Sequence, residues 1–403
     1  MADEWVDHRD DGLPPLWVAT GHDVDRAPEH IGSLYQAGPG GTMRDAIVQI
    51  VRGAREVVCL CSFLLSEEGI HRALLSAAEN GVRVYVLTAS REQLERMPKD
   101  EERSRDRIAE HQRRLDELAG RVLVRCSNRF HAKFVLADPR GEQPRGLLST
   151  ANLNPALLTN VELGVAMGAD DVRVAFGFFC KAFWSHAANE LLRAGELATC
   201  QGREFPTPEP HPRLLWTLPE STTLGEQLLG MVRSATSSLT VAVYGLDIRH
   251  QAFRALVDRA TSGVRVTVLL PLRSRVGEAA IELAKAGATV VGVDRLHAKA
   301  VVADDEAVVM TANLEANGLE QGCELGVVLD DDERLELMNV LDRWSATAPS
   351  RLMAGATVGS VLGPVTDPLT GDRGSVAEVA DTPGGKLRWA HRSRVKSKQR
   401  GGA

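Results

Sequence analysis

The chain has 403 residues, 44% hydrophobic and 25% charged, a balance that excludes fibrous, mucin-like and wholly disordered chains and suits two or three compact units. Its 47 Lys and Arg against 54 Asp and Glu give a net charge of −7, which excludes a uniformly basic nucleic-acid wrapper but not a local basic site. The six cysteines include no Cys-x-x-Cys pair, which fits a reduced compartment rather than a zinc ribbon or a disulfide framework.

Residues 1–13 read as an acidic arm, with Asp3, Glu4, Asp7, Asp10 and Asp11 against Arg9. The arm has neither the basic start nor the apolar core of a secretory signal. The chain shows no uncharged apolar run of bilayer length, so a cytoplasmic location is expected. A first lobe, residues 14–201, opens with PPLWVAT at 14–20. It continues with a buried-strand run, VVCLCSFLL at 57–65, an amphipathic helix pattern, IHRALLSAAEN at 70–80, and a second strand, GVRVYVL at 81–87. Cys59 and Cys61 sit in the first of these strands as small hydrophobes. After the second of these strands the first half inserts a segment that the second lacks, Arg91 to Arg121, with nine basic and nine acidic residues and Leu94, Ile108, Leu115 and Leu118 as sparse apolar points. It reads as a solvated helix or helical hairpin laced with i, i+4 ion pairs; the alternative is a lid or dimer arm beside an active site.

RFHAKFVLAD follows at 129–138, then a hairpin loop, PRGEQPR, at 139–145, and LLSTAN at 147–152. Prolines 206, 208, 210 and 212 then make residues 202–213 a stiff extended linker, because alternating prolines fit neither a helix nor a central strand. The second lobe, 214–348, repeats the first. PRLLWTLP at 212–219 is set against PPLWVAT, with Trp17 and Trp216 as matching core residues. LTVAVYGL at 239–246, HQAFRALVDRATS at 250–262 and GVRVTVL at 263–269 restate the strand, helix and strand. The alternation is that of an α/β fold, with parallel strands wherever a helix crosses over. A Gly/Thr/Pro-rich extension, 349–385, and a tail, 386–403, close the chain. The tail holds seven basic residues and no acid, so the rest of the chain carries −14. The tail reads either as a solvated end or as a tether to a polyanion or an anionic membrane surface.

The chemistry concentrates at the end of each lobe. His131-x-Lys133 is followed by Asp138, Thr150-Ala151-Asn152 and Glu162. His297-x-Lys299 is followed by Asp304, Thr311-Ala312-Asn313 and Glu324. Only eight lysines occur in the chain, yet both halves place one two residues after the motif histidine, so chance is a poor account. In a strand, His and Lys at i and i+2 share a face, as do Thr and Asn. Two such sets brought together across a lobe interface would clamp a phosphoryl group, with Lys supplying charge and Asn and Thr neutral donors.

These residues resemble the phospholipase D superfamily, whose HxKxxxxD…GSxN motif occurs twice in two-lobed members, and the likeness runs from about residue 14 to about 348. It implies two pseudo-twofold lobes, each a mixed sheet flanked by helices, with the active site at their interface. It implies a metal-independent phosphodiesterase that forms a phosphohistidine, with no cofactor. His131 would be the nucleophile and His297 the acid and then the base, and both lysines would neutralise the phosphate. Glu162 and Glu324, 31 and 27 residues after their histidines, match the acidic residues that hold the second ring nitrogen. Asp138 and Asp304 read as structural or electrostatic. The family's Gly-Ser is Ser149-Thr150 in one motif and Met310-Thr311 in the other; Thr keeps the hydroxyl, and the lost Gly tightens the space near phosphate. Nucleic acid is the favoured substrate, making the protein a nuclease. A phospholipase D or phosphatidyltransferase acting on lipid head groups is the alternative, and a non-catalytic binding module on the same fold is the third reading.

Overall fold

The structure is a computed structural model that describes residues 16–20, 22–95, 102–352 and 356, with four further three-residue strands at 364–366, 373–375, 377–379 and 388–390. The acidic arm and most of the C-terminal extension and basic tail fall outside the described residues.

Each half of the repeat forms a mixed sheet. In the first, Val57–Ser62, Arg83–Ala89 and Leu123–Ser127 run parallel. Phe134–Ala137, Arg145–Ser149, Leu163–Met167 and Leu34–Gln36 continue the sheet antiparallel on one side. The second sheet repeats this with parallel Ser238–Ala242, Arg265–Leu270 and Thr289–Gly292, then antiparallel Ala300–Ala303, Glu306–Met310, Glu324–Val328 and Leu214–Thr217. The change of direction has a simple cause. Helical crossovers keep the early strands parallel, whereas the loop that carries each His motif turns the chain back antiparallel beside the central strand, and a hairpin then continues that pattern. The crossover helices Glu68–Glu79 and Gln251–Thr261 bury Ile70, Ala73, Leu74 and Ala77, and Ala252, Phe253, Ala255, Leu256 and Ala260, at the helical spacing expected of a core-facing stripe.

Two features of the sequence reading change. PPLWVAT and PRLLWTLP are not corresponding strands: Trp17–Ala19 pairs with Ser350–Leu352 at the edge of the second lobe's sheet, and the counterpart of Leu214–Thr217 is Leu34–Gln36. Both tryptophans are buried, but in different clusters. Pattern alone cannot assign a three-residue edge strand to a sheet, because its partner is set by where the chain ends meet. The charged segment after GVRV is not an addition to the repeat either. Helix Glu102–Leu118 stands where Gly277–Lys285 connects the equivalent strands of the second lobe, so it is an enlarged crossover. Its solvent face carries the expected i, i+4 pairs, among them Glu110–Arg114 and Arg113–Glu117. Leu115 and Leu118 dock it, and buried His111 makes hydrogen bonds to the backbone of Leu65.

Helices Ala169–Ser185 and Asp331–Ala346 share one apolar cluster with strands of both sheets, which takes Phe178 and Phe183 from the first helix, Leu337 and Trp344 from the second, and Trp216, Leu34 and Leu163 from the strands. The lobes are thus joined by core, not by a wet interface. No described helix is long and apolar enough to cross a membrane.

Candidate active site

The lobes are also laced by backbone. His131 and Ala132 donate their N–H groups to the carbonyl of Cys323, and Cys323 N–H donates to Arg129. The pseudo-twofold mate is present: His297 and Ala298 donate to Val161, and Val161 to Arg295. Each histidine segment is therefore sewn to the residue just before the glutamate of the other lobe.

That stitching crosses the pairing expected from sequence. His131 Nδ1 lies 2.7 Å from Glu324 Oε1, and His297 Nδ1 lies 2.8 Å from Glu162 Oε1. The glutamates sit at the matching places but serve the opposite histidine. Burial pushes each carboxyl up, yet the facing imidazole and lysine outweigh it and hold both below the ordinary Glu range. An ionised carboxylate at Nδ1 fixes the proton there and leaves the Nε2 lone pair free for chemistry.

The threonines are placed differently from the expectation. Thr150 Oγ1 donates to Glu162 Oε2 at 2.7 Å and Thr311 Oγ1 to Glu324 Oε2 at 2.5 Å, and both side chains are fully buried. Each hydroxyl also accepts the N–H of the residue after that glutamate. They brace the carboxylates instead of facing a phosphate. The chain Thr–Glu–His therefore runs from the TAN segment of one lobe to the histidine of the other.

Lys133 and Lys299 are completely buried, and each ammonium donates to the carbonyl of the histidine two residues earlier. Burial pulls both pKa values down, that of Lys299 to about 8, while the two glutamates pull the other way. Burial likewise lowers both imidazoles, with His297 at about 4, because the lysines offset the carboxylates. An anion brought against these buried lysines and imidazoles would favour their charged forms. Asn152 and Asn313 each keep a buried carboxamide oxygen without a partner among the described residues.

Asp138 and Asp304 lie away from this cluster. Both take positive φ, 48° each, where Asp is tolerated, and start the hairpin after the motif strand. Asp138 accepts the N–H groups of Arg55, Glu56 and Val57, and Asp304 those of Thr236, Ser237 and Ser238. These bonds, led by Thr236, bring the Asp304 carboxyl from 3.8 to about 2. The folded value lies below the unfolded one, so the stabilisation is complete above about pH 4 and drains away as pH falls towards 2. Asp304→Ala is expected to lose about 1 kcal/mol at neutral pH, as for a lost cap. Urea unfolding at pH 7 and pH 2.5 checks it, the gap between variant and parent closing at the lower pH.

Phe63 and Tyr244 were not singled out by sequence, although they occupy equivalent places in VVCLCSFLL and LTVAVYGL. Phe63 meets His131 edge-on at 5.4 Å, and Tyr244 meets His297 at 4.6 Å. The repeat alignment could have found them as the aromatic at each strand end. The two histidines differ in access: the His131 side chain is 25% exposed and that of His297 8%. A cleft of about 470 Å³ opens over His131, lined by Gln93, Asn128, Arg129, Asn313, Glu315, Asn317, Gly318, Gln321, Gly322 and Glu324. At Gly318 a Cβ would stand 2.3 Å from the Asn313 carbonyl, so only glycine allows that wall to close on the asparagine.

Duplicated His, Lys and Asn sets, crossed by Glu and buried at a lobe interface, define a class of two-lobed proteins with one doubled imidazole–ammonium site. The family model described as "Cardiolipin synthase, PLD-like domain" matches residues 47–174 and 228–345, once per lobe and more than half of the chain. The protein belongs to this phospholipase D-like family, which acts on phosphodiesters in general. No curated protein sequence matches it significantly. Among solved structures, phosphatidylserine synthase from Haemophilus influenzae Rd KW20 is similar with a TM-score of 0.52 and 13% identity, over 86% of this chain and 91% of that one. Polyphosphate kinase from Porphyromonas gingivalis is similar with a TM-score of 0.51 and 16% identity, over 77% of this chain and 46% of that one. At those identities the likeness is one of fold, and the chain spans less than half of the kinase.

Proposed function

We propose that the protein hydrolyses phosphodiester bonds in nucleic acid through a covalent phosphohistidine. The observation that carries the substrate class is the lining of the cleft over His131, where every side chain is polar and the rest is glycine. A phospholipid brings its glycerol and acyl chains up to the phosphorus and needs an apolar wall there; this cleft offers amides, an arginine and carboxylates.

In this reading the charge of the bound phosphodiester raises the pKa of His297, which takes up a proton on Nε2; His131 Nε2 then attacks phosphorus as the bond to the leaving oxygen breaks, and His297 gives that oxygen its Nε2 proton. Neutral His297 then takes a proton from water, whose oxygen displaces His131 and restores the enzyme, with net retention at phosphorus. Glu324 and Glu162 hold the two rings. Lys133 and Lys299 balance the phosphoryl charge, and Asn152 and Asn313 offer N–H donors to its oxygens.

Labelled single- and double-stranded DNA, RNA and phosphatidylcholine vesicles, each incubated with EDTA, test the substrate class. Cleavage of a nucleic acid with choline retained is the expected result, and release of choline with nucleic acids intact would overturn it. Because two buried lysines supply the positive charge, turnover is expected to survive excess EDTA. Loss of activity that Mg²⁺ or Zn²⁺ alone restores would sink the mechanism. Nucleic-acid binding without turnover would favour the binding module.

A further inference from the structure

The pseudo-twofold that doubles the catalytic set does not double the cleft. Over His131 the open cleft is walled by Gln321 and Gly322, which run into Cys323 and Glu324. The first lobe carries the matching run, Thr159, Asn160, Val161 and Glu162, beside His297. There the place is taken. Arg26 Nη1 donates to the carbonyls of Thr159 and Asn160, each at 3.2 Å, and to that of Ala37 at 3.3 Å. Asn160 adjoins Val161, whose carbonyl takes the N–H groups of His297 and Ala298. Arg129 at the open cleft has Arg295 as its counterpart, and Arg26 lies within reach of that charge. Burial lowers the Arg26 pKa, Glu29 offsets this, and Arg295 lowers it further.

Arg26 belongs to a strap, residues 22–29, that crosses from one lobe to the other. One side is fastened to the second lobe. Thr20 Oγ1 donates to the Ala348 carbonyl at 2.8 Å, Asp25 N–H donates to Thr347 Oγ1 at 3.0 Å, and the Asp25 carboxylate lies 3.7 Å from Arg343. The other side is fastened to the first lobe. Glu29 accepts the N–H groups of Gly40 and Thr42, and the Pro28 carbonyl accepts from Gln36 Nε2 at 2.6 Å. Held at both ends, the half-buried guanidinium is a fixed stop, in line with the smaller exposure of the His297 ring.

We propose that Arg26 is a specificity-determining residue, which closes the His297 side so that the protein removes units from the end of a nucleic-acid strand and does not cut within it. The proposal rests on the nucleic-acid reading and deepens it. An internal phosphodiester carries a chain arm on each of its two ester oxygens, and the arms must leave the site in different directions. The cleft over His131 gives one arm a way out, and the second arm would have to pass through the strap. A terminal phosphodiester carries only one nucleotide on that side. Moving the strap aside would break the hydrogen bonds of a partly desolvated cation, the kind that costs most to leave unmade.

The test uses the full chain on one single-stranded oligonucleotide in two forms, linear and ligated into a circle. Bis(p-nitrophenyl) phosphate serves as a small diester without chain arms. The linear form is expected to shorten from an end, and the circle to be cut about a hundredfold more slowly, the scale of loss when a reacting group is kept from its seat. Arg26→Ala is expected to speed cutting of the circle about tenfold, with turnover of the small diester unchanged. Arg26→Lys can still donate to the same carbonyls and should keep the circle resistant. A parent that cuts the circle as fast as the linear form, or cuts the linear form internally, overturns the role of Arg26 and leaves the nuclease reading standing. So does an Arg26→Ala variant to which the circle is as resistant as before. Both oligonucleotides left intact, with a phospholipid turned over, overturns the two readings together. Should Arg26→Ala fail to fold, as judged by circular dichroism, the parent's ratio between circle and linear form decides.

Discussion

His131→Ala is expected to abolish turnover of every phosphodiester, by about a thousandfold or more, whatever the leaving group. In the proposed mechanism the variant lacks the atom that bonds to phosphorus, and no choice of substrate replaces it. His297→Ala is expected to behave differently. A p-nitrophenolate leaves with little help from a proton, so that ester should retain far more activity than an alkyl ester. The same variant should also slow hydrolysis of the intermediate, since no base activates the water. A phosphohistidine should then accumulate on His131 and be recovered by peptide mapping after a quench that avoids acid. An adduct on His297 would reverse the assignment of the two imidazoles without disturbing the fold or the reaction class. The access of the two rings supports the direction chosen, because His131 faces the open cleft and His297 is nearly closed off.

The crossed carboxylates give the second large effect. Glu324→Gln is expected to lower kcat by about 10²- to 10⁴-fold, because a carboxamide no longer fixes the proton on Nδ1 of the ring it faces. Since Glu324 holds His131, the loss should be equal for p-nitrophenyl and alkyl esters, copying His131→Ala. Glu162→Gln should copy His297→Ala and be felt most by the alkyl ester. Pairing within a lobe predicts the reverse pattern, so leaving-group dependence of the two Gln variants separates the arrangements. Gln is close to Glu in shape, and Thr150 and Thr311 can still donate to its oxygen, so the fold should persist. Circular dichroism and thermal unfolding check that point.

Much of this site is legible in residue order. The doubled His-x-Lys, the Thr-Ala-Asn and the Glu-Leu-Gly-Val recur at corresponding places, and chemistry restricts what such a set can do. The division into two mixed-sheet lobes follows from strand–helix–strand runs repeated along the chain. Asp138 and Asp304 stand apart in residue order too, at an odd spacing from the histidine, and the structure shows them capping the backbone of a neighbouring strand's start.

What residue order by itself determined is local: which segments are strands and helices, which residues carry charge or a nucleophile, and that the set occurs twice. The tertiary structure decided every partnership between distant segments. It sent Trp17–Ala19 to the second lobe's sheet, turned the threonines from phosphate donors into braces, and gave Gln93 of the crossover to the cleft. Above all it paired His131 with Glu324 and His297 with Glu162. The physical reason is that a repeat makes the two glutamates equivalent in sequence. Only the docking of one lobe on the other, with each histidine segment hydrogen-bonded to the backbone beside the opposite glutamate, makes one of the two available pairings the shorter.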